Sequence, residues 1–146
     1  NLGRFLCSRG QYDQADALFA AALMDPFYRS PETALLNRGS CAMSAGRLEV
    51  AAENLRLALE RSPDMPDALY QSAMLAMQRK DALRARAFME RYLGVAPSSP
   101  QALAFAIEIE QALDDQRAVA RYRERLIQEF PESAEAESLN TNVGSR

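Results

Sequence analysis

Histidine and tryptophan are absent from the 146 residues, and lysine occurs once, at Lys80. The missing histidine removes the Ser-His and Cys-His nucleophile systems. Two cysteines without histidine leave a tetrahedral zinc site short of ligands. Glycine is scarce, six in all, and nowhere forms a Gly-rich phosphate-binding loop. No apolar run approaches the ~20 residues of a membrane span. The alternation and paired turn residues of β-hairpins are missing as well. There is no starting methionine, signal peptide or lipid-attachment motif. Because the chain opens inside a helix, these last absences say little about the full-length protein. No catalytic residue, metal ligand or cofactor is expected. Asp114-Asp115, the one acidic pair that suggests metal or acid–base work, reads as a solvated turn between helices.

What is present is a chain 48% hydrophobic and 25% charged, a globular composition. The net charge is −3, which makes a nucleic-acid partner a poor candidate. Arg117, Arg121 and Arg125 recur every four residues and read as a solvated helix face with partners such as Glu124 and Glu129.

The strongest signal is internal repetition. Counting Glu32 as position 1, Gly39 stands at 8, Gly46 at 15, Leu48 at 17, Ala51 at 20, Leu55 at 24, Ala58 at 27 and Pro63 at 32. Apolar residues keep helical spacing on either side of Gly46, which breaks the first helix and permits a turn. Gly39, Ala51 and Ala58 are small enough for two antiparallel helices to approach, and Pro63 ends the unit. From Pro66 the same ruler places Ala73 at 8, Ala85 at 20, Met89 at 24 and Pro97 at 32, with Tyr92 out of place at 27. From Pro100 the copy is weaker: Ile107 and Val119 replace small residues and Arg123 stands at 24. Backwards, Gly3, Gly10, Ala15, Phe19 and Ala22 match, but Gly3 and Gly39 are 36 residues apart. The excess of two over a period of about 34 residues falls in the Asp25–Pro31 connection.

This pattern resembles the tetratricopeptide repeat. The resemblance implies an all-α, right-handed α-solenoid of helix–turn–helix repeats. One domain is expected over 1–139, with repeats at about 1–29, 32–65, 66–99 and 100–133. Eight helices in four pairs, a short capping turn from Ser133 and a frayed tail over 140–146 complete the expectation. Stacked pairs present their first helices on a concave side that solenoids use for partners. Positions 2, 5, 9, 12 and 13 face it in that family, which selects Leu36, Ser40, Met43, Tyr70, Met74, Met77, Gln78 and Glu108 as partner-binding candidates. Methionines in helices are more ordinarily core, yet Leu36, Met43, Tyr70, Met74 and Met77 would make an adaptable apolar stripe suited to an amphipathic or extended peptide. Phe27 and Tyr28 of the inserted connection form a second candidate surface. Otherwise they cover the joint between repeats.

A narrower resemblance rests on Gly3-Arg4-Phe5-Leu6-Cys7-Ser8-Arg9-Gly10-Gln11-Tyr12, on Ala22 to Pro31, on Asn37 to Ala42 and on Arg91 to Pro97. These segments are similar to the type IV pilus biogenesis/stability lipoproteins, the PilF/PilW-type pilotins. Arg38 departs from that pattern, standing where the family tends to have an apolar residue. The resemblance implies a non-enzymatic protein at the periplasmic face of the outer membrane. It would be held there by a lipid anchor absent from this chain, and would assist assembly or localisation of the pilus secretin. It also favours a disulfide between Cys7 and Cys41, which lie on the first helices of adjacent repeats in a compartment that permits one. The alternative is two separate buried thiols acting as small hydrophobes. The alternative function is a general repeat adaptor or co-chaperone scaffold that binds peptide segments.

Overall fold

The computed structural model describes residues 1–144, and among them there are helices and no strand. The helices are α1 (Leu2–Ser8), α2 (Tyr12–Met24), α3 (Pro31–Ser44), α4 (Leu48–Arg61), α5 (Pro66–Gln78), α6 (Ala82–Val95), α7 (Pro100–Ala112), α8 (Gln116–Glu129) and α9 (Ala134–Gly144). The class is all-α and the first eight helices form helix–turn–helix pairs. The chain divides into two compact units, Asn1–Leu75 and Ala76–Arg146, with the division inside α5.

All four pairs turn by the same device. Gly10, Gly46, Lys80 and Asp114 each occupy repeat position 15, and each has a left-handed backbone, with φ of 78°, 76°, 58° and 54°. The following residue then donates its N–H five residues back: Gln11 to the carbonyl of Leu6, Arg47 to Ala42, Asp81 to Ala76 and Asp115 to Glu110, at 2.8–3.0 Å. This is the Schellman closure, which satisfies carbonyls that the helix end leaves without partners.

In the first unit the core gathers Leu35, Leu36, Ala42, Met43, Ala51, Leu55, Ala58, Ala68 and Leu75. Close approach depends on residue size. A Cβ on Gly39 would lie 2.9 Å from Leu55 Cγ, and one on Gly3 2.6 Å from Phe19 Cε1. Leu55 fills the α3–α4 crossing at 1% exposure, a burial that stabilises by roughly 2 kcal/mol. A second cluster, Ala15, Phe19 and Cys41, packs with Leu6, Cys7 and Tyr12.

In the second unit the core gathers Leu103, Ile107, Val119, Leu126 and Ala136, with Tyr122, Phe130 and Leu139 against it. Ala136 belongs to α9, so the capping turn and the first part of the frayed tail expected from sequence form a helix running to Gly144. Its start is anchored twice: the Ser133 hydroxyl donates to the Phe130 carbonyl at 2.8 Å and accepts from the Ala136 N–H at 3.1 Å. Glu135 and Glu137 in its first turn suit the positive end of the helix dipole. Residues 145 and 146 lie outside the described residues.

Candidate functional site

The first helices α3, α5 and α7 carry the partner-binding candidates. Leu36 and Met43 are each 8% exposed and belong to the first unit's core, so they are not groove surface. The reason is local packing: Ala68 and Leu75 of α5 share that cluster and take up the face of α3 on which Leu36 and Met43 lie. Ser40, Tyr70, Met74 and Met77 are half-buried, and Gln78 and Glu108 are exposed. Tyr70, Met74 and Met77 follow at i, i+4 and i+7 along α5, which places them on one face of that helix. Met74 also packs against the first unit's core.

Cys7 and Cys41 form a disulfide with Cα atoms 5.8 Å apart, tying α1 to α3. Beside it lies a pocket of about 80 Å³ lined by Tyr12, Asp16, Arg38, Cys41, Ala42, Ala45, Arg47 and Val50. Its charges are already engaged. Arg38 donates from both Nε and Nη2 to the Asp16 carboxylate at 2.7 and 3.2 Å, and Arg47 Nη2 donates to Asp13 at 2.6 Å. Arg38, at odds with the apolar pattern of the pilotins, is thus a partner for the acid on the preceding helix.

In the second unit sequence reasoning missed the main polar feature. Glu110 on α7 is buried, its side chain 4% exposed, and receives the Arg86 guanidinium from α6. Arg86 Nε lies 2.9 and 3.0 Å from the two carboxylate oxygens, and Nη2 also donates to Glu110. The same Nη2 donates to Asp115 at 3.0 Å, while the other Asp115 oxygen caps α8 by accepting from the Ala118 N–H at 3.1 Å. Asp115 is therefore a helix cap and ion-pair member rather than merely a solvated turn residue. The hydrogen bonds to Glu110 hold the Arg86 guanidinium above its ordinary value, against the opposing effect of burial. Burial, then the charges of Glu110 and Glu90, push the Tyr122 phenol upwards. One signal was available in the sequence: Glu110 ends the run Ala106-Ile107-Glu108-Ile109, where a carboxylate three residues beyond Ile107 falls on a core-facing row.

An apolar groove of about 320 Å³ lies in the second unit, lined by Ala104, Ile107, Leu126, Ala134, Glu135, Ser138 and Leu139. In the first unit the inserted connection presents Phe27, 88% exposed, beside Met24 at 84%, whereas Tyr28 is half-buried. Among the described residues no group of three or more His, Cys, Asp or Glu side chains is placed to hold a metal ion, and no helix is long and apolar enough to cross a membrane. Each unit offers apolar contact surfaces on paired helices, which suits binding.

Comparison with known proteins agrees with this architecture. The fold matches the crystal structure of PilW, described as a widely conserved type IV pilus biogenesis factor, with a TM-score of 0.89 and 30% identity, over 95% of this chain and 64% of that one. It matches PilF of Pseudomonas aeruginosa with a TM-score of 0.78 and 20% identity, over 97% of this chain and 64% of that one, a likeness of fold alone. Among curated proteins, the cellulose synthase operon protein C of Pseudomonas fluorescens is 28% identical over 113 residues, 77% of this chain and 9% of that protein. The chain thus spans less than two thirds of the pilus factors and a small part of the cellulose protein. A family model for the tetratricopeptide repeat matches residues 2–66 and 36–102. With the repeat register, the four identical turns and this match in agreement, the chain belongs to the tetratricopeptide repeat family.

Proposed function

We propose that this chain is the protein-binding domain of a type IV pilus assembly lipoprotein, acting at the periplasmic face of the outer membrane to assist assembly or localisation of the secretin. The observation that carries the reading is the likeness to PilW, at 30% identity over 95% of the chain. The disulfide between Cys7 and Cys41 suits an oxidising compartment and supports the same reading. The function is binding without turnover. The contact surface we assign is the first unit's part of the α5 face, Tyr70 and Met74, with Ser40 contributing a polar contact, and the partner is an apolar-faced segment of the secretin. Contacts of this kind survive moderate salt, because screening chiefly weakens exposed charge pairs.

The test is a secretin-assembly assay in cells lacking the native gene, complemented with wild type or Met74→Glu at matched protein levels. A charge desolvated by the partner should weaken binding by about 2 kcal/mol or more and reduce multimers accordingly. Met74 also touches the core, so the helical content of the variant is measured alongside, and Tyr70→Ala serves as a second variant. Normal multimers with both variants would remove the α5 face as the contact surface. Normal multimers without the protein would remove the pilotin reading. The likeness to the cellulose synthase operon protein would then favour the general repeat adaptor.

A further inference from the structure

We propose that the Cys7–Cys41 disulfide is a redox latch on α1: two electrons from a dithiol reductant, entering at Cys7, release α1 from α2 and α3 and uncover Phe19. The inference stands independently of the pilus reading and lies wholly within the first unit.

Little besides the disulfide holds α1 in place. Gly3 is its one buried residue, set against Phe19, while Leu2 and Phe5 are 62% and 55% exposed. Leu6 and Cys7 are half-buried against Ala15, Phe19 and Cys41. The polar contacts of the side chains turn back on the helix itself. Asn1 Oδ1 accepts from the Arg4 N–H at 3.2 Å, the Ser8 hydroxyl donates to the Phe5 carbonyl at 2.7 Å, and the Arg9 guanidinium lies 5.7 Å from the centre of the Phe5 ring. A helix of about two turns does not persist without packing. By contrast α3 buries Leu35, Leu36, Ala42 and Met43 in the core that it shares with α4. Cutting the disulfide therefore loosens α1 before it loosens α3.

The two sulfurs differ in access. Cys7 is half-buried, whereas Cys41 is 5% exposed and adjoins a pocket of about 80 Å³, room for water molecules but not for an incoming peptide. A thiolate of the reductant therefore attacks Cys7 Sγ. A new sulfur–sulfur bond forms at Cys7, the Cys7–Cys41 bond breaks, and Cys41 leaves as a thiolate and takes up a proton. The reductant's second thiolate then attacks the reductant's own sulfur in the mixed disulfide. Cys7 is released and protonated, and the reductant departs as a disulfide. Two electrons and two protons have passed to the chain. In an oxidising compartment the latch stays shut until such a reductant is supplied.

Two measurements on the 146-residue chain test this. In the first, the oxidised protein is incubated with glutathione, quenched in acid and peptide-mapped. Adducts should sit on Cys7, with Cys41 free, by about tenfold or more over the reverse arrangement. Adducts shared equally, or favouring Cys41, overturn the point of entry. In the second, amide exchange compares the oxidised protein, the protein reduced with dithiothreitol and the Cys7→Ala, Cys41→Ala double variant. The N–H groups of Phe5, Arg9, Gly10 and Gln11, which α1 and its turn hold in hydrogen bonds, should lose protection about tenfold or more in both unlinked forms, while α4 changes far less. Protection of α1 unchanged on reduction overturns the latch. Equal loss in α1 and α4 overturns it too, because the disulfide would then staple the whole unit rather than hold one helix.

Discussion

Asp16 and Arg86 occupy the same repeat position, 21, in the first and third helix pairs, and carry opposite charges. Each reaches the first helix of the following pair within its own unit: Asp16 meets Arg38, and Arg86 meets Glu110. The settings differ. The Arg38 and Asp16 side chains keep 28% and 36% exposure, so that pair is worth at most about 1 kcal/mol. Glu110 keeps 4%, so its charge depends on Arg86. The first unit instead has a covalent tie at the same joint, Cys7 to Cys41. One repeat geometry is thus fastened by a disulfide in one unit and by a buried ion pair in the other. The repeat demands that consecutive pairs be joined, and leaves open which chemistry joins them.

Removing the covalent tie should give the largest effect. Cys7 and Cys41 are 34 residues apart, and opening a loop of that size costs about 4 kcal/mol on the chain-entropy estimate. Reduction, or Cys7→Ala with Cys41→Ala, should lower amide-exchange protection in α1 to α3 far more than in α7 and α8. Thiol titration of the denatured, unreduced protein should find no free thiol. Equal loss of protection in both units would erase the distinction.

The counterpart in the second unit is Glu110. Glu110→Ala leaves Arg86 without its main partner, and we expect a loss of about 3 kcal/mol in urea denaturation. This is the low end for a broken buried pair, because Arg86 keeps 28% exposure and Asp115 still faces it. Replacing both partners, Glu110→Leu with Arg86→Met, should recover most of that loss, since apolar groups of similar volume need no counter-charge. A double variant as unstable as the single one would mean that the pair contributes more than mutual neutralisation.

The smallest effect sharpens the comparison at the turns. The first unit uses Gly10 and Gly46 at position 15, and a Cβ at either would meet nothing within 4 Å. Only the left-handed backbone opposes a side chain there. Gly46→Ala should cost about 1 kcal/mol, and Lys80→Gly in the second unit should gain several tenths to about 1 kcal/mol, both measured by thermal melts. A neutral Gly46→Ala would show that the Schellman hydrogen bonds alone set the turn.

Much of this was legible in the chain. Small residues at positions 8, 20 and 27 marked the helix crossings, and Gly39, Ala51 and Ala73 are indeed buried. Gly46 marked a turn, while Lys80 and Asp114 at the same position gave no glycine signal, although the hydrogen-bond closure is the same. The binding face was less legible. Position counting put Leu36 and Met43 on an open surface, but counting along one helix does not reveal what the next helix covers.

What the sequence alone determined is local: helix period, pair boundaries, sites of close approach and the class of fold. These depend on residues within one or two turns of each other and on the size of single side chains. What only the tertiary structure decided involves partners 22 and 24 residues apart: Asp16 with Arg38, and Arg86 with Glu110. It also decided which apolar residues remain open, Phe27 and Met24 rather than Leu36 and Met43. The physical reason is that burial and ion pairing depend on which surface arrives from elsewhere in the chain, and a helical periodicity is compatible with several such arrivals.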